Sequence, residues 1–361
     1  MTLPPVVRLK RSYDKHRLKS DLRTALQHYQ PHPHIGNLHD GSWTGLSLRS
    51  TSGRVDDGFG LSLGRYQNTP VLEHCPYFRE ILDYFPGRVC LARLLFLGPG
   101  KRVAEHTDST HHWETGILRL HIPIVTHKDV HFIIGDEEAA WKEGELWFGD
   151  FARPHSIHNA SPVTRIHLVI DVAIDDELID LFPHRMMDII RRRTTIFRPE
   201  PAVSIPAASL EKFAGTFIVP AGVLPLPVPF PILGEVRPRD GMLQARIFGI
   251  PSGIWLTPVG PDRFTHLSHE IRFRPASDGD GWIAAMTFPD VYVTTRELPE
   301  YNLKSFESRI LRQPGPVRGL YRVLQTIHLN LGFRSGLLLA GLKQNWNRVR
   351  EWLPGHRHDA A

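Results

Sequence analysis

Two short stretches constrain this 361-residue chain more than anything else in it. In Thr164-Arg-Ile-His-Leu-Val-Ile-Asp171, the residues Ile166, Leu168 and Ile170 alternate with Arg165, His167, Val169 and Asp171. Successive residues of a strand point to opposite faces, so one face is apolar and the other carries an arginine, a histidine and an aspartate. Ile117-Leu-Arg-Leu-His-Ile-Pro-Ile124 repeats the arrangement, with Arg119 and His121 set against Leu118, Leu120 and Ile122. A guanidinium turned into a β interior is costly unless an anion meets it. For both arginines that anion is either an internal carboxylate, such as Glu145 or Asp150, or a ligand. A dicarboxylate gripped in fork geometry suits Arg165.

Near these strands lies a set of metal-binding residue types. Arg93–Leu97 reads as a strand, followed by the turn Gly98-Pro-Gly100 and then by His106-Thr-Asp108. His106 and Asp108 are two apart and can point into one cavity. His155 then completes a 2-His-1-carboxylate face of the kind that leaves positions open in non-haem Fe(II) oxygenases. Taken alone, the pair also reads as a surface turn, with His106 solvated and Asp108 capping backbone amides. His158 faces a different direction from His155 and is assigned to the substrate pocket or to packing. His111 and His112 read as solvated loop residues. Trp43 and Arg49 are within reach of the pocket, Trp43 equally well in the core. Sixteen of the 21 histidines precede Arg185, which places the chemistry in that half.

The chain divides by texture. Residues 1–198 read as a mostly-β domain opened by a helix near Lys15–His28 and closed by one over Asp175–Arg198. Residues 199–209 form a Pro-rich linker, 210–297 a small antiparallel β-barrel or β-roll, and 298–361 a basic helical segment with Leu320, Leu324, Ile327 and Leu331 on one side. Net charge is +5, yet Tyr301–Ala361 alone holds ten basic and three acidic residues. The basic residues of that segment are either the solvated face of a helix packed on the β domains or a docking surface for an anionic membrane or acidic peptide. Two cysteines, Cys75 and Cys90, exclude a disulfide framework and a thiolate-rich metal site. With no signal-like leader and no long apolar run, a cytoplasmic protein without a nucleic-acid partner is expected.

From about Gly41 to Asp171 the phrases "GSWTGLSLRS", "YQNTPVLEHCPYFREILDYFP", "LARLLFLGPG", "HTD", "LRLHIPI", "WKEGELWFGDFARPHSIHN" and "TRIHLVIDV" follow in order. In them the chain resembles the aspartyl/asparaginyl β-hydroxylase-like proteins, Fe(II)- and 2-oxoglutarate-dependent oxygenases on a double-stranded β-helix of the cupin or jelly-roll type. The resemblance implies a double-stranded β-helix core over about 41–172. It makes His106, Asp108 and His155 the catalytic iron ligands and Arg165 the 2-oxoglutarate arginine. Arg119, with His121 beside it, matches a second group on the co-substrate side, and Arg93 matches a further arginine more loosely. Fe(II) is then the cofactor, with 2-oxoglutarate and O₂ as co-substrates. The implied reaction hydroxylates an unactivated C–H bond of an Asp, Asn or Pro side chain, in a peptide or as the amino acid, while 2-oxoglutarate is decarboxylated to succinate. Some peptide-modifying members carry Gly where this chain has Asp108, and the complete triad is similar to the bacterial branch of proline and peptide aspartyl hydroxylases. Two other readings compete: a non-catalytic cupin-like metal- or ligand-binding protein, and a lipid acyl hydroxylase docked on a membrane by its basic C-terminal segment.

Overall fold

The computed structural model describes residues 3–33, 43–57, 66–85, 88–108, 113, 116–194, 196, 202–219, 232–248, 253–266, 269–277, 282–287, 292–295, 298–302, 305–311 and 324–325. The chain opens with β1 (Val6–Ser12) and α1 (Lys15–His28), the helix expected there. Asp14 starts it by accepting from the amides of His16 and Arg17. Then come β2 (His32–Pro33), β3 (Trp43–Ser50), β4 (Gln67–Asn68), α2 (Val71–His74) and α3 (Pro76–Asp83). Eight strands follow: β5 (Val89–Leu97), β6 (Arg102–His106), β7 (Ile117–Val125), β8 (Val130–Ile134), β9 (Glu137–Glu138), β10 (Glu145–Gly149), β11 (His155–Asn159) and β12 (Arg165–Ala173).

One sheet runs β1-β10-β7-β12-β5-β3-β2, with β4 on β3, and the second runs β6-β11-β8-β9. From β5 to β12 the chain moves back and forth between them, which is the winding of a double-stranded β-helix. The expected fold class holds. The alternation along β12 decides which way its residues face. Ile166, Leu168, Ile170 and Val172 join a core with Leu18, Leu22, Phe78 and Phe182, packing the outer face of the large sheet against the helices. On the inner face Val169 joins Trp43, Leu95, Leu97, Phe132, Trp141, Phe151 and Ile157 between the sheets. Arg165, His167 and Asp171 are buried on that same side.

Helix α3 has no cap of its own; Asp21 of α1 supplies one, its buried carboxylate accepting from the amides of Tyr77 and Phe78 at 2.7 and 2.9 Å. The helix expected over Asp175–Arg198 is two, α4 (Asp176–Asp180) and α5 (His184–Arg193). Pro183 separates them, because its ring cannot continue the amide ladder.

The second β unit begins with α6 (Ala207–Glu211) and continues through β13 (Gly215–Val219), β14 (Ile232–Arg239), β15 (Met242–Ile247), β16 (Gly253–Pro258), β17 (Arg263–His266), β18 (His269–Pro275) and β19 (Trp282–Thr287). After the hairpin β20 (Tyr292–Thr295) and β21 (Leu298–Asn302), the strand β22 (Ser305–Leu311) pairs with both β13 and β19 and closes an eight-stranded barrel. Leu210, Phe213, Leu243, Leu256, Phe264 and Phe273 fill its interior. Two expectations change here. The barrel extends past residue 297, and residues 298–302 and 305–311 are strands rather than the start of a helix, because an open sheet between β13 and β19 needs one more strand to pair its two edges. Apart from Leu324 and Gln325, the rest of the basic segment, with its docking surface, lies outside the described residues. Among the described residues no helix is long and apolar enough to cross a membrane.

Candidate active site

Strands β6 and β11 are hydrogen-bonded neighbours, and their register sets His106 opposite His155. The two rings lie 4.1 Å apart between centroids. Asp108 follows two residues later, its amide donating to Phe151 O at 2.8 Å. One ligand-type atom from each of His106, Asp108 and His155 falls within 4.8 Å of the others. His106 Nδ1 sits 2.8 Å from Ala104 O and His155 Nδ1 3.0 Å from Arg153 O. A carbonyl accepts only, so in both rings Nδ1 carries the hydrogen and Nε2 keeps its lone pair. Burial, and after it the neighbouring His106, pushes His155 down to about 4, so it is neutral near pH 7. Two imidazoles and a carboxylate on one side of a cavity form a donor set suited to Fe(II).

Arg119 ties this cluster to the sheet. Its Nη1 donates to Asp108, and its Nε and Nη2 donate to the two oxygens of Asp171 at 2.7 and 3.0 Å. Arg93 adds an Nη2 donation to Asp171 at 3.2 Å. The carboxylates opposite Arg119 are therefore Asp171 and Asp108; Glu145 instead pairs with Arg8, and Asp150 with Arg153. Both arginines expected on the co-substrate side, Arg119 and Arg93, thus engage carboxylates of the chain, and Arg119 holds the acidic member of the cluster.

Arg165 stands differently. It is wholly buried, and burial lowers its guanidinium to about 9, still protonated near neutral pH. Nη2 lies 2.8 Å from His167 Nδ1, the guanidinium is 5.5 Å from the centre of the Phe132 ring, and Nε and Nη1 have no partner among the described residues. His121 and His167 stand 3.3 Å apart through their Nδ1 atoms. Burial, then the charge of Arg165, drives both far below the ordinary histidine value. Trp141 packs 4.7 Å from His121 and 5.6 Å from His167, between ring centroids. Across Arg93, Arg119, Arg165, Asp108 and Asp171 there are three guanidiniums and two carboxylates, and the excess positive charge sits where the unpartnered nitrogens are. The orphaned buried Arg165 fits a co-substrate carboxylate. A cavity of about 680 Å³, lined by Lys128, Lys142, Phe132, Trp141 and His167 among others, reaches the same aromatic wall.

Of the residues singled out from sequence, His106, Asp108, His155, Arg119, Arg93, Arg165 and His121 all face this interior. His158 does not: it lies on the outer side of β11 opposite His131, neither lining the pocket nor in the core, because β11 buries only alternate residues. Trp43 is in the inter-sheet core with its ring 6.4 Å from that of His106. Arg49 is turned away, donating to Val89 O and Asn68. His111 and His112 are outside the described residues. Sequence reasoning did not name His167, Asp171, Phe132 or Trp141 as site residues; for the first two the signal was present, as they share Arg165's face of β12.

The two sheets form a jelly-roll, with a His–Asp–His cluster and a buried arginine between them. Residues 13–174 match the family described as aspartyl/asparaginyl beta-hydroxylase. Over 162 residues it is 27% identical to an L-proline cis-4-hydroxylase of Rhizobium meliloti (strain 1021), a match spanning 44% of this chain and 57% of that protein. Among solved structures it is similar to a 2OG-Fe(II) oxygenase family oxidoreductase from Burkholderia pseudomallei, with 13% identity, a TM-score of 0.30 and coverage of 44% of this chain and 79% of that one. It is also similar to the non-heme alpha ketoglutarate dependent carbocyclase SnoK from nogalamycin biosynthesis, with 12% identity, a TM-score of 0.33 and coverage of 47% and 80%.

Proposed function

We propose that the jelly-roll domain is a Fe(II)- and 2-oxoglutarate-dependent hydroxylase of an Asp, Asn or Pro side chain, in a peptide or as the amino acid. The observation that carries this reading is the convergence of His106, Asp108 and His155 beside Arg165, whose Nε and Nη1 have no partner among the described residues. Iron bound by the three side chains, with 2-oxoglutarate, supplies the O₂ activation needed to hydroxylate a C–H bond, with succinate and CO₂ released.

The chain's own groups do the rest. Hydrogen bonds to Ala104 O and Arg153 O fix both ligand rings with Nε2 free. Arg119 holds Asp108 in orientation, and Asp171 holds Arg119 in place. Arg165 takes the far carboxylate of the co-substrate, while Phe132, Phe151 and Trp141 keep water from the charges. The likeness to an L-proline cis-4-hydroxylase supports an amino acid or amino-acid residue as the substrate class.

The test is succinate release from 2-oxoglutarate by the purified chain with Fe(II) in air, with each substrate class searched by mass for a gain of one oxygen. His155→Ala is expected to abolish iron binding and turnover, and His158→Ala to leave both intact. Iron binding without succinate in any mixture supports the non-catalytic binding protein instead.

A further inference from the structure

Hydrogen counting fixes the protonation of two buried histidines on which the reading above places no role. A guanidinium has only donors, so the 2.8 Å contact between Arg165 Nη2 and His167 Nδ1 makes that Nδ1 an acceptor. A neutral imidazole has one N–H, which in His167 must then be on Nε2. The Nδ1 of His121, 3.3 Å from the same lone pair, is a donor, leaving the lone pair of His121 on Nε2. Protonating His167 on Nδ1 would set two donors against each other, so the ring stays neutral beside its arginine. His167 is 2% exposed, and neither its Nε2 nor that of His121 has a partner among the described residues. A buried N–H without an acceptor is costly, so a ligand oxygen is the natural partner. His167 also lines the 680 Å³ cavity, together with Phe132, Trp141 and Lys142.

We propose that His167 is a second co-substrate-binding residue: its Nε2–H donates to the far carboxylate of 2-oxoglutarate beside the charged donors of Arg165. This rests on the oxygenase reading. One fixed charge and one neutral donor match the single charge of a carboxylate. His167 has two jobs in this arrangement, accepting from Arg165 through Nδ1 and donating to the anion through Nε2, and two substitutions separate them. The Gln side chain places an N–H near the old Nε2, whereas Asn places an oxygen near the old Nδ1.

The experiment is calorimetric titration of 2-oxoglutarate into Mn(II)-loaded full-length protein without O₂, for wild type, His167→Gln and His167→Asn. The expected result is binding within threefold of wild type for Gln and at least tenfold weaker for Asn, with Mn(II) affinity unchanged in both. The reverse order, with Asn close to wild type, makes His167 only a support for Arg165 and overturns the proposal. Equal affinities in the two variants overturn it as well. Nitrogen NMR of ¹⁵N-histidine-labelled wild-type protein gives a check that needs no variant to fold: His167 is expected as the Nε2–H tautomer, and an Nδ1–H signal rejects the assignment. Failure of wild type itself to bind 2-oxoglutarate would count against the oxygenase reading rather than against the role of His167 within it.

Discussion

Replacing Arg165 by Leu keeps most of its packing volume and removes the unpartnered guanidinium. A hydrogen bond to a charged group is worth roughly 1.5–3 kcal/mol, so the variant is expected to bind 2-oxoglutarate at least tenfold more weakly with its iron affinity intact. An unchanged 2-oxoglutarate titration would move the anchor to another cation. The buried histidines add a pH dependence of stability. His121 and His167 have folded values well below the unfolded 6.5, and His155 falls to about 4. Below pH 6.5 the unfolded chain takes up protons that the folded one refuses, so stability is complete above pH 7. It then falls by about 1.4 kcal/mol per pH unit for each such histidine as the pH drops. Urea unfolding of the metal-free protein from pH 7.5 to 5 measures this slope, which is expected to be shallower in His167→Gln; equal slopes would remove His167 from the account. The iron-binding types and Arg165 were legible because alternation in a strand fixes a face. The partners of Arg119 were not, since they depend on cross-strand register: Asp171 of β12 lies directly opposite Arg119 of β7, 52 positions away in sequence.

Among the elements, the long strands could be read because their apolar halves must face the helices, and β7 and β12 begin within a residue of where the pattern places them. What escaped are features in which one element completes another. Helix α3 starts at Pro76 with no side-chain cap, and Asp21, buried on α1 more than fifty residues earlier, accepts from the Tyr77 and Phe78 amides. Nothing local to α3 announces this. Asp21→Ala leaves two buried donors unsatisfied and is expected to cost about 1–3 kcal/mol. At roughly 2–4 °C per kcal/mol for a domain of this size, the loss is measurable as a lowered melting temperature. Asp21→Asn, which retains an acceptor oxygen, is expected to recover part of it. Identical melting for wild type and Asp21→Ala would mean that water replaces the carboxylate and that the cap has no energetic role.

At the scale of the whole molecule, the C-terminal segment shows how far texture alone reaches. Its excess of basic residues over acidic ones is plain in the sequence, but charge does not say what the segment touches. Beyond β22, Leu324 and Gln325 are the described residues, and they are unlike: Leu324 is 57% exposed and Gln325 2%. The Gln325 side chain accepts from Leu233 N at 2.7 Å and donates to Leu233 O and Phe248 O at 2.8 and 3.0 Å. Leu233 belongs to β14, and Phe248 directly follows β15, so one amide satisfies three main-chain groups at the end of that hairpin. Packing of this part of the segment on the barrel follows from the contact itself, whatever the basic residues beyond it meet. Gln325→Leu preserves the bulk and deletes all three hydrogen bonds, taking their side-chain partner from the Leu233 amide and the Phe248 carbonyl while Leu233 O keeps the amide of Phe248. The expected cost is about 2–4 kcal/mol, read as a lower urea midpoint at unchanged m-value. Sedimentation with anionic vesicles separates this contact from membrane docking. If the segment only packs, wild type stays in solution at low salt; if it docks, wild type and Gln325→Leu pellet alike at low salt and are released at high salt. A Gln325→Leu variant as stable as wild type would show that the barrel does not depend on this contact, and would return the segment to being read from its charge alone.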